Sequence, residues 1–117
     1  MIRIQRIYSG NTGNGYRVLV DRLWPRGIRK SDADVDVWMK EIAPSNTLRK
    51  WFRHDPEKFN EFRKRYTSEL NANPEVEKLI QLEKKHGTII LMYAARDEIH
   101  NQAVVLKEYL EKFDPRH

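Results

Sequence analysis

"TIILMYAA", residues 88–95, decides the fold of this chain. A half-exposed strand would alternate apolar with polar residues, and this stretch does not alternate. It reads as a strand buried on both faces, the kind found in parallel sheets that are covered on each side. Gly87 stands just before it, and the polar segment "RDEIHN" (96–101) follows at once.

Working upstream, "YRVLVD" (16–21) carries the same signature in the run Val18-Leu19-Val20, and Ile2, Ile4 and Ile7 with Tyr8 mark a first strand. "ADVDVWMK" (33–40) alternates, with Val35, Val37 and Met39 on one side, which fits a further short strand, with one helical turn as the alternative. Between these lie helix signals. Ser45 is a good N-cap for a helix carrying Leu48, Trp51 and Phe52, and Asp55-Pro56 restarts the chain into a second with Phe59, Phe62, Tyr66 and Leu70 at spacings of three and four. Asn73-Pro74 opens a third helix with Val76, Leu79, Ile80 and Leu82, which Gly87 ends. Asp97 is expected to cap a last helix with the stripe Ile99, Ala103, Leu106 and Leu110.

Buried strands alternating with amphipathic helices predict an α/β domain. The expected architecture is a three-layer sandwich: a short, mostly parallel sheet from residues near 2–7, 16–21 and 88–95, flanked by helices, in a single domain over 1–117. The loop "SGNTGNG" (9–15) is too short for an ordinary parallel crossover, so the first two strands either form a hairpin or lie apart.

The totals narrow the function classes. No apolar run approaches the ~20 residues of a membrane span, and the start lacks a signal-peptide pattern. A soluble cytoplasmic protein without a membrane partner is expected. The chain has no cysteine, which removes disulfides, thiolate nucleophiles and zinc–thiolate sites. The net charge of +5 is unevenly spread: residues 1–30 hold seven Lys and Arg against the single acid Asp21, and residues 49–65 hold seven against three. Two positive segments on an otherwise acidic chain point to an anionic partner.

In open α/β sheets ligands bind beyond the carboxyl ends of the strands, and two polar segments fall there. "DRLWPRG" (21–27) follows the second strand: Arg22 and Arg26 have the fork that grips carboxylate or phosphate, and Trp24 offers a flat wall. "RDEIHN" follows the late strand. On a helix, Asp97, His100 and Asn101 would share a face, with Arg96 beside them and Tyr93 just before. A histidine held by a carboxylate is suited to proton transfer. The expected site therefore uses His100, Asp97 and Asp21 for acid–base work, and Arg22, Trp24, Arg26, Tyr93, Arg96, Asn101 and His54 for binding. Its ligand would be an anionic small molecule or a nucleotide.

Against this stands a nucleic-acid-binding or regulatory module using residues 1–30 and 49–65. Its aromatics, however, fall on the core stripe of the helices, and Glu57 and Glu61 interrupt the basic face. No HExxH, G-x-G-x-x-G, G-x-S-x-G or S-x-x-K pattern occurs, so no metal, cofactor or serine nucleophile is assigned, and the oligomeric state stays open.

The motifs "GYRVLVDRLWPRG" (15–27), "WMKEIAPS" (38–45), "LRKWFRHDP" (48–56), "FRKRYTSEL" (62–70) and "LMYAARDEIHNQAVVLKEYL" (91–110) run nearly end to end. Together they resemble the YeaO-like family of uncharacterised bacterial proteins, within the wider domain-of-unknown-function family 488. The resemblance implies no established activity. Many wider relatives place cysteines near the histidine that follows the late strand. Here Ala94 or Ala95 and Asn101 stand in that region, so that thiol chemistry has no nucleophile.

Overall fold

A computed structural model describes residues 1–10 and 13–113. Positions 11 and 12 of the glycine-containing loop lie outside the described residues, as do 114–117. Four strands form one sheet: β1 (Ile2–Arg6), β2 (Tyr16–Leu19), β3 (Val37–Trp38) and β4 (Ile89–Tyr93). Their order is β1-β4-β2-β3 and every pairing is parallel. The choice between a hairpin and separated strands resolves as separation, because β4 lies between β1 and β2 and pairs with both. β4 is buried along its whole length, as its unbroken apolar run requires. Gly15 sits where the loop after β1 passes close to β4: a Cβ there would lie 3.0–3.1 Å from the Ile90 and Thr88 side chains.

The helices are α1 (Asn46–Phe52), α2 (Phe59–Asn71), α3 (Glu75–His86) and α4 (Gln102–Glu111). All four send their buried residues into one cluster with Ile2, Val18, Val20, Ile89, Leu91 and Tyr93 of the sheet. The opposite face of the sheet carries Leu19, Ile90 and Met92, covered by Ile7, Trp24, Val35 and Trp38. The molecule is thus an α/β sandwich of helices, sheet, and a layer built by the segment between β2 and β3.

Local chemistry explains most boundaries. Ser45 caps α1 by accepting from the Leu48 N–H at 3.1 Å, Asp55 accepts from the Glu57 N–H at 3.0 Å, and Asn73 accepts from the Glu75 N–H at 2.9 Å. Gly87 closes α3 at φ 80°, a conformation that suits a residue without Cβ.

Two expectations fail. Residues 33–40 do not form one strand: only Val37 and Trp38 pair, with β2. The alternation breaks at Asp36, whose carboxylate accepts from the Arg17 N–H at 2.7 Å, so Val35 packs on one side of the sheet and Val37 and Met39 on the other. Likewise, Asp97 does not cap the last helix. Asn101 does, accepting from the Val104 N–H at 3.1 Å, and Ile99 is exposed rather than part of the stripe.

Candidate functional site

Where β2 and β4 end, a cleft of about 360 Å³ opens between the 21–26 segment, the turn after β4 and the α1–α2 junction. Asp21 stands in its wall. One carboxylate oxygen accepts from the Ala94 N–H at 3.0 Å, and the other accepts from the side-chain amide of Gln102. Burial pushes this carboxyl up to about 6 from its ordinary 3.8, outweighing the two hydrogen bonds that favour the anion.

Asp21 and Arg22 are not an ion pair. The Arg22 Nε and Nη2 donate to the carbonyls of Pro44 and Ala43 at 3.0 and 3.1 Å, while Nη1 lies 3.7 Å from Glu41. Most of its fork is therefore engaged by main chain. The same segment is held from other directions: the buried Tyr66 hydroxyl donates to the Ile42 carbonyl at 2.8 Å, and Glu69 accepts from both the N–H and the hydroxyl of Ser45 at 2.9 and 2.6 Å. Arg22 lines the cleft, and it also fixes one wall of it.

Trp24 lines the cleft in a set orientation. Its indole N–H donates to the Ile28 carbonyl at 2.6 Å, and its ring meets Trp38 edge-on at a centroid distance of 5.4 Å. Arg26 is exposed at the rim, and its carbonyl accepts from the Tyr8 hydroxyl at 2.7 Å, which ties the loop after β1 to the loop after β2.

The far wall comes from the helices. Phe52 and Phe62 stack there at 4.1 Å and are buried. Arg49 lines the cleft one turn earlier; its Nη2 donates to Asn46, but its buried Nε has no partner. A buried donor left unpaired costs roughly 1–3 kcal/mol. His54 follows Arg53, and both adopt positive φ, 57° and 50°. Backbone strain of this kind in non-glycine residues persists where the surroundings enforce it, and it clusters at functional sites.

The structure thus brings Asp21, Arg22, Trp24, Arg26 and His54 together in the lining. Tyr93, Arg96, Asp97, His100 and Asn101 stand at the same end of the sheet but are not part of that lining. Asp97 accepts from the N–H groups of Ile99 and His100, both at 2.9 Å, and its other oxygen meets His100 Nδ1 at 2.8 Å. Those bonds hold its carboxyl below the ordinary range. The His100 ring rests edge-on against Phe59 at 5.1 Å. Asn101 is fully buried; besides capping α4 it donates to the Asp97 carbonyl at 2.9 Å. Burial, with the Glu98 carboxylate, raises the Tyr93 hydroxyl. Arg96 is exposed.

Among the lining residues that sequence reading missed are Gln102 and Arg49. Gln102 could have been found as the first residue after the true cap Asn101. Arg49 carried no signal beyond its place in a basic run. Among the described residues, no group of three or more His, Cys, Asp or Glu side chains is arranged to hold a metal ion.

A family model described as the inactive DUF488-N3 subclade matches residues 1–115. The chain belongs to that family. The chain is 40% identical over 110 residues to the uncharacterised protein YeaO of Escherichia coli K12, covering 93% of this chain and 96% of that one. An uncharacterised protein of Mycobacterium tuberculosis H37Rv is also 40% identical over 110 residues, covering 93% and 92% of the two chains. No solved structure matches. This DUF488 member also has no helix, among the described residues, long and apolar enough to cross a membrane.

Proposed function

We propose that this protein binds an anionic small molecule or nucleotide in the cleft at the carboxyl ends of β2 and β4, and that it does so without turnover. The observation that carries the proposal is the convergence on one cleft of about 360 Å³ of a half-buried carboxyl (Asp21), the guanidinium of Arg49, an oriented indole (Trp24) and the rim residues Arg26 and His54. That volume is in the range of ordinary ligand pockets, which combine apolar walls with a few placed polar groups. Main-chain hydrogen bonds hold Arg22 and Trp24 in the walls, and such preorganisation lowers the ordering cost of binding.

Binding without turnover is supported by the description of the family as inactive. The His100–Asp97 pair is the best proton-transfer candidate and stands outside the lining. In this reading it shapes the turn between β4 and α4.

The test is a thermal-shift panel of nucleotides, sugar phosphates and dicarboxylates at millimolar concentration, run on the wild-type protein and on Arg49→Leu. At least one anionic compound should raise Tm in the wild type, and the shift should shrink by more than half in Arg49→Leu. A panel with no shift, or a shift equal in both proteins, contradicts the reading.

A further inference from the structure

The cleft lining combines an acceptor-only carboxylate with basic side chains, and this combination limits what fits it. Asp21 presents a carboxylate whose oxygens have each taken one donor, from Ala94 and from Gln102. An ionised carboxylate only accepts, and it offers about four lone-pair sites, so one site on each oxygen is still open. A ligand that fills both must bring two donors side by side. In the same lining Arg49 and Arg26, with His54, favour an anion and disfavour a ligand of net positive charge. The indole of Trp24 in that lining favours a flat, apolar body.

Resting on the reading that this cleft binds a small molecule, we propose that Asp21 selects a guanine-type nucleotide, its two oxygens accepting from the adjacent ring and exocyclic N–H groups of the base while the phosphate lies toward Arg49 and His54. A simple guanidinium has the same donor edge but the wrong net charge for the basic rim. Adenine offers a donor beside an acceptor on its pairing edge, and that acceptor would face carboxylate oxygen without a proton between them. Cytosine has the same mismatch. Xanthine replaces one of guanine's donors with a carbonyl and is repelled in the same way.

The side chain that reads the edge can be inverted with little change in shape. Asp21→Asn turns one acceptor into a donor, and its remaining oxygen can still accept from the Ala94 N–H. The amide then matches xanthine and no longer matches guanine.

The experiment is calorimetric titration of the wild type and Asp21→Asn with guanosine, adenosine, xanthosine and cytidine monophosphates and with agmatine, at pH 7.5, where Asp21 is ionised. The wild type should bind the guanosine compound roughly tenfold or more tightly than the others, the usual discrimination of a good bidentate edge contact. Asp21→Asn should lose that preference and bind the xanthosine compound best, with a melting curve that shows an intact fold. Equal binding of the four nucleotides, tighter binding of agmatine, an unchanged preference in Asp21→Asn, or no nucleotide binding at all would each overturn the assignment. Were that to happen while a sugar phosphate or dicarboxylate still stabilised the protein through Arg49, the cleft would remain a binding site and only its guanine selectivity would be lost.

Discussion

Asp21 is a carboxyl kept in a place that costs stability. Its folded pKa, about 6, is above the ordinary 3.8, so between those values the folded state holds a proton that the unfolded chain has lost. Stability from this group is therefore greatest below pH 4, falls as pH rises to about 6, and is flat beyond. The difference corresponds to on the order of 3 kcal/mol. Asp21→Asn removes the titration: relative to the wild type it should gain stability between pH 4 and pH 7, measured by urea unfolding at both. Parallel behaviour of the two proteins would mean that the carboxyl is not desolvated. Asp21 was legible because a charge immediately after a buried strand marks a pocket rim. Arg49 was not, since the direction of a side chain on a basic, amphipathic helix depends on how that helix packs.

The start of α4 shows where sequence signals compete. Asp97 and Asn101 are both good caps, and an aspartate before a helical stripe favoured the earlier position. The chain instead uses Asp97 to close a tight turn and Asn101 to start the helix, which places Gln102 against Asp21. Asn101→Ala removes the cap and leaves the part-buried Asp97 carbonyl without its donor. It should cost roughly 2–3 kcal/mol in chemical unfolding and also weaken ligand binding, because Gln102 loses its position. A loss within 0.5 kcal/mol would show that α4 is held by packing alone, on a scale where exposed substitutions usually fall within about that amount. The strands were read with more success. β4 and β2 declared themselves by continuous apolar runs, and their burial on both faces implied parallel pairing. β3 was overestimated because alternation in "ADVDVWMK" ends at Asp36, which turns to serve the backbone of Arg17.

At the scale of the whole molecule, the charge map and the cleft give different accounts of the +5 charge. Residues 49–65 are less available to nucleic acid than their composition implies. Phe52, Phe59 and Phe62 are core residues, Arg65 pairs with Glu61 and Arg63 with Glu108, and Trp51 lies beneath Lys58 and Arg65. Arg49 and His54, in contrast, turn to the cleft, as does Arg26 of the first basic segment. The parallel sheet, the clamped 41–45 segment and the strained α1–α2 junction all act to place these groups around one opening. The direct measurement is a map of backbone amide shifts on titration with guanosine monophosphate. The account predicts perturbations concentrated at Asp21, Leu23, Arg49, His54, Ala94, Ala95 and Gln102, saturating together and persisting at high salt. Shifts confined to the exposed face around Lys64 and Arg65, vanishing as salt is added, would contradict it and identify a nonspecific phosphate-binding surface instead.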